Sequence, residues 1–440
     1  MTSKPSIIFL NHSSFIFQTG TVKLLVDPWL YGSIFNEGWD LLSEEDHGQV
    51  LSDITHIYYS HEHPDHFHVP FLKSIDPARR TEITILFQQT YDQRVKNFCS
   101  NLGYKVIEFE DQAEIKISEN TEITIGKVPF FDSWINIKYG DMNILNVNDC
   151  VLEKPSAVRG IKDALNRNID ILFTQFSYAG YLEKSRQRVI AAEILEKIKM
   201  QDDVLSPGII VPFASFLYFS HEENRFMNEN GNTLRHAYEF IKQNCKAQPV
   251  VLRPNEYWDL SEKNNEESLA YWDDKFGAIA GLPYHPASEE LSAGELQELA
   301  NDYLRSLRHT NNSFIINALS WIGVLPKINI KLTDLDKFFQ FDLIKGLRAS
   351  EAEFSAHDCI ALSSESLACI FKHDYGYDTV LVSARLDCTT AYLGRVTKCL
   401  FVGSLNNTGR YLRFSQIPRL VNLDFLVRGL ELINLKKRQY

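Results

Sequence analysis

The sequence predicts a four-layer αββα sandwich, two β-sheets packed face to face and covered by helices, with a smaller α+β unit after it. Two observations carry this. Up to about residue 260, short apolar strand-like runs alternate with segments of helical period, a pattern that fits two packed sheets with helices outside. After a charge-rich stretch without strand signal, new strand-like runs begin near Ile328.

The elements follow in order. Ile7 to Leu10, Ser14 to Gln18 and Val22 to Val26 read as strands, the last two joined by Thr19-Gly20-Thr21. Ile54 to Tyr59 is an apolar strand. Thr81 to Phe87 is a strand, Gln89 to Asn101 a helix, and Lys105 to Phe109 a strand. Strands 114–118 and 121–128 flank a Ser118-Glu119-Asn120 turn. Ser133 to Lys138 and Asn143 to Val147 form a hairpin around Tyr139-Gly140-Asp141. Helices near 157–166 and 186–199 alternate with strands Ile169 to Phe176, Ile209 to Phe213 and Val250 to Pro254. Residues 1–260 thus form the main domain. Residues 261–314 read as a helical linker or cover, with Leu291, Leu296, Leu299, Leu304 and Leu307 spaced for an amphipathic helix over Glu289 to Arg308. Residues 315–440 form the C-terminal α+β unit. Its expected strands are Ile328 to Leu332, Phe338 to Ile344 and Asp358 to Leu362. A helix from Ser363 to His373 is capped by Ser-Ser-Glu, and Tyr377 to Val382 closes the unit.

Composition excludes several classes. With 440 residues, 44% hydrophobic and 23% charged, the chain has enough apolar material for a sizeable core. A net charge of −12 argues against nucleic acid as a partner, which needs a basic surface. Lys436-Lys437-Arg438 reads as a solvated tail. No apolar run approaches the length of a membrane span, and the opening Met-Thr-Ser-Lys-Pro does not resemble a signal peptide. Seven scattered cysteines without a Cys-x-x-Cys pair point to free thiols, a cytoplasmic location and no iron–sulfur module.

Chemistry concentrates in one stretch, Ser60-His61-Glu62-His63-Pro64-Asp65-His66. Four of the 13 histidines lie between residues 61 and 68, a density that packing alone does not explain. Imidazoles with a carboxylate form a borderline-soft set of metal ligands. His61 and His63 are two apart, so an extended chain points them the same way. Asp65 and His66 follow past Pro64, where the chain turns. One loop can therefore serve two metals, His61 and His63 on one, Asp65 and His66 on the other.

His-x-His-x-Asp-His directly after a buried strand resembles the signature of the metallo-β-lactamase superfamily. Asn11-His12-Ser13-Ser14 between two strands, then Asp27-Pro28-Trp29, resembles the branch that contains ascorbate-6-phosphate lactonases, N-acyl-phosphatidylethanolamine phospholipases and CMP-N-acetylneuraminate hydroxylases. The resemblance covers roughly residues 5–260 and implies the sandwich fold. It also implies that Asp27 supports the metal loop from outside the ligand set and that His12 lines the cleft. It assigns a bridging role to Asp149, in Asn146-Val147-Asn148-Asp149-Cys150, and a late ligand role to His221. No histidine lies between His68 and His221, so the family's usual third histidine is missing. Asp132 is the best substitute there, giving His61, His63 and Asp132 a composition that suits non-heme iron as well as zinc. The C-terminal unit resembles a small sterol-carrier-like domain, with a dimerisation or capping role, and hence a homodimer, as the alternative.

The expected function is metal-dependent hydrolysis of a small organic ester, phosphodiester, lactone or amide at a dinuclear site, with two divalent ions per chain, zinc or iron. Asp65 and Asp149 are the expected catalytic carboxylates. The aromatic loops at Phe176 to Tyr181 and Phe213 to Tyr218 are expected to bind the small-molecule substrate through Tyr178, Phe216 and Tyr218, with Trp134 beside Asp132. The alternative is a diiron oxygenase, motivated by Asn-x-Asn-Asp-Cys, Asp132 and the missing histidine. Without an iron–sulfur module it takes electrons from a partner protein.

Overall fold

The computed structural model describes residues 4–287 and 290–416. Two seven-stranded sheets form its centre. In the first, the order is Tyr257–Trp258, Ser6–Asn11, Ser14–Gln18, Lys23–Val26, His56–Tyr58, Thr84–Gln88, Lys105–Phe109. In the second it is Gln248–Pro249, Ile209–Phe213, Ile171–Gln175, Met142–Asn146, Ser133–Tyr139, Thr121–Lys127, Glu114–Lys116. Each sheet is antiparallel at its hairpins and parallel where helices cross over, as short turns and long crossovers require.

The sheets face each other across a core that includes Phe15, Phe173, Phe213 and Trp258. Phe15 stacks on Phe173 with ring centroids 4.6 Å apart. Helices Val69–Ser74 and Arg94–Asn101 cover the outer face of the first sheet, burying Phe71, Leu72, Val95 and Cys99. Helices Pro155–Leu165, Gln187–Leu205 and Leu234–Asn244 do the same for the second. The long strands of the second sheet read as near-continuous apolar runs because both of their faces are covered.

The expected strand from Val250 to Pro254 does not form. Only Gln248–Pro249 pairs; the Val250 amide still donates to the Ile210 carbonyl, and beyond it side chains capture the amides, Val251 by Asn265 and Arg253 by Glu256. Those captures remove the donors a ladder would use.

The C-terminal unit has a four-stranded sheet in the order Gly346–Ser350, Lys337–Asp342, Ile328–Leu332, Ile360–Leu362. Helix Ser364–Lys372 forms behind its Ser363 cap. Tyr377 to Val382 lies within a helix, Gly376–Ser383, although its β-branched residues favour a strand. Tyr377, Val380 and Leu381 are buried at spacings of three and four, so tertiary packing overrides propensity. Helix Ala293–Thr310, capped by reciprocal Ser292–Glu295 bonds, packs Leu296, Ala300, Leu304 and Leu307 into this unit's core. Helix Glu266–Ala278 instead packs Leu269 and Trp272 on the sandwich. Glu289, where the first of these helices was expected to begin, and the basic run at 436–438 lie outside the described residues. Trp29, Phe35, Trp39, Tyr178 and Tyr181 of the sandwich share the core of the C-terminal unit. That shared core places the unit against the same sheet edge that carries the histidine loop.

Candidate metal centre

Register builds the site. Strand Lys23–Val26 runs parallel to His56–Tyr58 with Val26 opposite Tyr58, so the residues just beyond them, Asp27 and Ser60-His61, emerge side by side. Strand Met142–Asn146 of the second sheet delivers Asn148 and Asp149 to the same edge. Asp27 is fully buried. Its Oδ1 accepts the Ser60 amide at 2.8 Å, and its Oδ2 accepts from His66 Nδ1 at 3.0 Å and Asn148 Nδ2 at 2.6 Å. A carboxylate on Nδ1–H leaves the lone pair of His66 on Nε2, the nitrogen that points into the cluster. Past Pro64 the chain turns back, with the amides of His66 and Phe67 both donating to the carbonyl of His63. Ser13 Oγ ties the loop from below, donating to the Asp65 carbonyl at 3.1 Å. His12, Asp27 and Asn148 all have positive φ, of 34°, 39° and 48°, a strained backbone held in place by these bonds.

Three sets of potential ligand atoms lie within 4.8 Å of one another: His12, Asp65 and His66; His61, His66 and Asp149; His61, His63 and Asp65. His61 Nε2 meets His63 Nδ1 at 2.9 Å. His66 Nε2 is 3.2 Å from Asp65 Oδ2 and 3.5 Å from Asp149 Oδ1, and Asp149 Oδ2 is 4.0 Å from His61 Nε2. Asp149 therefore sits between the two halves of the loop. His12 Nε2 is 3.6 Å from Asp65 Oδ2. Among these atoms, Asp65 Oδ1, His66 Nε2 and Asp149 Oδ1 are buried without a hydrogen-bond partner. Buried lone pairs that converge without donors are costly unless a cation satisfies them, so these residues fit a metal.

The electrostatics agree. Burial opposes charge on His66, yet Asp65, Asp149 and Asp27 raise its pKa well above the ordinary range. Burial also opposes charge on Asp65, yet His66 and His12 hold it well below a usual carboxylate. The cluster is a negative nest that favours positive charge at its centre. The buried imidazole of His12 is pushed the other way, towards its neutral, ligand-competent form.

Two expected ligands stand apart from these sets. Asp132 lies 3.4 Å from Nδ1 of His61, the nitrogen turned away from His63 and Asp149. Its Oδ1 accepts the Ser133 amide at 2.6 Å, which fixes it on that side. His221 joins none of the three sets. Its ring faces Glu223, with Nδ1 3.8 Å from Oε2, in a junction with Arg385. It follows strand Leu217–Phe219, which pairs with Trp39–Leu41, and its buried Nε2 has no hydrogen-bond partner.

The aromatics expected to bind substrate are all buried. Phe216 packs on Trp272 with centroids 4.2 Å apart, and Trp134 is buried with its ring over Gly126, where any Cβ would collide. Tyr178 donates to the Met227 carbonyl at 2.6 Å and Tyr218 to the Pro283 carbonyl at 3.2 Å, which satisfies both buried hydroxyls. Their loops follow core strands, and the cores on either side absorb the rings. The open side of the cluster lies at His63, which is exposed, and Asp149, whose side chain is one-quarter exposed. Phe35 packs edge-on to His63, with centroids 6.2 Å apart. Beyond it Arg94 bridges Glu62 and Asp92 and donates to the Asn407 carbonyl of the C-terminal unit. Ser60, Asn148, Phe35 and Arg94 carried no sequence signal of this kind, although Asn148 sits inside the Asn-x-Asn-Asp motif.

Fold and site together define a metallo-β-lactamase fold with a candidate metal centre. Residues 6–168 match the model of the beta-lactamase superfamily domain. The chain is 27% identical over 272 residues to cytidine monophosphate-N-acetylneuraminic acid hydroxylase of Cricetulus griseus, covering 58% of this chain and 48% of the relative. To the Mus musculus hydroxylase it is 25% identical over 343 residues, covering 72% and 57%. The chain thus spans about half the length of these curated relatives. Among solved structures it is similar to CmlA, a diiron beta-hydroxylase from Streptomyces venezuelae, at 12% identity and a TM-score of 0.42, covering 58% of this chain and 54% of that one.

Proposed function

We propose that this chain is the metal-bearing body of a dinuclear iron enzyme that hydroxylates a small organic substrate. The observation that carries the reading is the way the donors divide. His12, His66 and Asp65 form one set of two imidazoles and a carboxylate. His61 and His63 with Asp65 form a second, and Asp149 joins His61 and His66 in a third, each again two imidazoles and a carboxylate. Two histidines and one carboxylate with open positions suit non-heme iron. The hydroxylase relatives support the same reading.

Bound iron would supply the activation of dioxygen. The balance is substrate C–H plus O₂, two electrons and two protons, giving C–OH and water. The electrons would come from a donor outside these 440 residues. The chain's own residues do the positioning. Asp27 holds the His66 ring and Asn148 together, and Asp132 orients His61 through Nδ1. Substrate reaches the cluster from the His63–Asp149 side, where Phe35 supplies an apolar wall. Asp149, the partly exposed carboxylate at that opening, is placed to pass protons from solvent.

Hydrolysis at a dinuclear zinc site is the second reading, supported by the solvent access at Asp149 and by the superfamily fold. Loading the chain separately with iron and with zinc separates them. The expected result is about two irons per chain and reductant-dependent oxygen uptake. A zinc form that cleaves ester, lactone or phosphodiester substrates, beside an iron form that consumes no oxygen, would replace hydroxylation with hydrolysis.

A further inference from the structure

The three most exposed large apolar side chains among the described residues come from one short stretch: Trp321 is 77% exposed, Ile322 73% and Phe314 70%. Helix Ser313–Trp321 turns its other side inward, burying Ile316 and packing Ile315 and Leu319 on the C-terminal core. Phe314 and Trp321 are two turns apart and so share a face. The end of the helix is a closed turn. Gly323, at φ 77°, donates its amide to the Ser320 carbonyl at 3.1 Å, and the exposed Val324 donates its amide to the Leu319 carbonyl at 2.9 Å. Trp321, Ile322 and Val324 are thereby held outwards by ordered backbone.

Charge is segregated around this strip. The chain carries 57 Asp and Glu against 45 Lys and Arg, yet neither acid occurs from 303 to 333 or from 388 to 416. Each of those stretches holds four Lys or Arg. Folding brings the two together. Strand Ile328–Leu332 and helix Thr390–Asn407 share one core, and the Asn329 amide donates to the Tyr392 hydroxyl at 2.6 Å. Arg395 Nε donates to the Lys327 carbonyl at 2.7 Å. Lys327, Arg395 and Lys398 are all exposed. Among the described residues no ion pair engages them; Lys331 instead pairs with Asp336, and Asp342 with Arg348. An open groove of ≈ 220 Å³ lies between Gly323, Pro326, Ala391, Gly394, Arg395 and Lys398. Gly323 belongs to both features, so the apolar turn and the cations meet at this groove.

We propose that this face docks the protein on a bilayer surface that carries anionic phospholipids. Trp321, Ile322 and Val324 enter the boundary between headgroups and acyl chains, with Phe314 beside them. Arg395 and Lys398 take a headgroup phosphate in the groove, where Gly323, Ala391 and Gly394 leave room for it. Apolar side chains flanked by Lys and Arg are the pattern of attachment in the plane of the interface, and an indole favours that depth. No helix of the described residues is long and apolar enough to cross a membrane, so the attachment is peripheral. The net charge of −12 opposes approach to an anionic surface. At physiological salt, however, charges more than about 8 Å from that surface are largely screened, and the cations that touch it decide. The apolar side chains protrude from their turn, which suits a fluid surface; an acidic protein partner would need a pocket shaped to receive them.

Tryptophan emission of the full chain tests this. Trp29, Trp39, Trp134, Trp258 and Trp272 are buried, so of the six tryptophans Trp321 alone faces solvent. Iodide should quench it in the free protein. Equimolar phosphatidylcholine–phosphatidylglycerol vesicles should shift the emission to the blue, and brominated acyl chains should quench it. Cosedimentation with these vesicles should weaken at least about tenfold on pure phosphatidylcholine and in Arg395→Glu with Lys398→Glu. Trp321→Glu with Ile322→Glu should weaken it as well. All four side chains are exposed, so neither double variant depends on repacking a core. Absence of cosedimentation with the mixed vesicles would overturn the proposal. So would binding that both double variants retain, since it would use another surface. A Trp321 that iodide cannot reach before lipid is added is already covered, which overturns it too. An equal emission shift with inorganic phosphate or with polyglutamate assigns the face to a free anion or an acidic protein. A sedimentation mass that doubles with concentration, and reverts in Trp321→Glu with Ile322→Glu, assigns it to a second copy. Each of these results replaces the bilayer.

Discussion

The Arg385 guanidinium donates to the backbone carbonyl of Asn36 at 2.7 Å, joining the C-terminal unit to a turn that touches the metal loop. Phe35, Asn36 and Glu37 all have positive φ, between 51° and 59°, an expensive conformation for three consecutive non-glycine residues. Arg385 is buried, and Nε also pairs with Glu223 at 2.9 Å while Nη2 pairs with Glu365. Next to the turn, Gly38 lies so close to Ser383 that an added Cβ would sit 2.4 Å from the serine Cβ. The turn is strained in isolation and is held by the unit that packs on it. Phe35 passes the constraint to the wall beside His63.

Arg385→Met should therefore cost about 3–5 kcal/mol, because it strands two partly buried carboxylates. Gly38→Ala should destabilise through the same junction. Denaturant melts of both variants check this. Wild-type stability in Arg385→Met would mean that the turn holds itself.

His12 and His221 make opposite predictions for metal content. His12→Ala should lose about one of two ions, since it removes an imidazole from the set with Asp65 and His66. His221→Ala should keep both, since its ring faces Glu223. Elemental analysis after saturation with metal and removal of excess decides. The reverse pattern would return the late histidine to the ligand set.

Asp132→Asn distinguishes a ligand from an orienting carboxylate. With Asp132 on the Nδ1 side of His61, affinity should fall about 10–100-fold while full occupancy is still reached at high metal. Competition with a chromophoric chelator measures it. Loss of a whole equivalent at saturation would make Asp132 a direct ligand.

Acid should destabilise the fold through buried neutral imidazoles remote from the loop. Burial lowers the pKa of His47, whose Nδ1 donates to Asn255 Oδ1 at 2.7 Å, and burial lowers that of His56. Below pH about 6.5 the unfolded chain binds protons that these residues refuse when folded, so stability falls as pH drops. His47→Gln should flatten the dependence of the urea midpoint on pH between about 6.5 and 5. An unchanged slope would show that His47 charges freely in the native state.

The sandwich was legible because its signals are local. Strands Ser14–Gln18 and Ile209–Phe213 form where their apolar runs begin and end. The loop His61 to His66 advertised itself by residue type and spacing alone. Helix Gly376–Ser383 was not legible, because packing of Tyr377, Val380 and Leu381 decided against a β-branched run. The burial of Tyr178, Tyr218, Phe216 and Trp134 was hidden for the same reason, since an aromatic after a core strand reads alike whether it lines a cleft or fills a core.

What the sequence by itself determined is the sandwich expected over residues 1–260 and the ligand types gathered in one loop, because strand period and ligand type are properties of short segments. What only the tertiary structure decided is which distant residues meet that loop. His12 comes from one hairpin, Asp149 from the opposite sheet, and Phe35 from a turn held by Arg385, more than three hundred residues later. His221, which carries the right side chain, joins none of the three ligand sets, its ring facing Glu223. A ligand needs a direction as well as an identity, and direction is set by register and by packing between segments far apart in the chain.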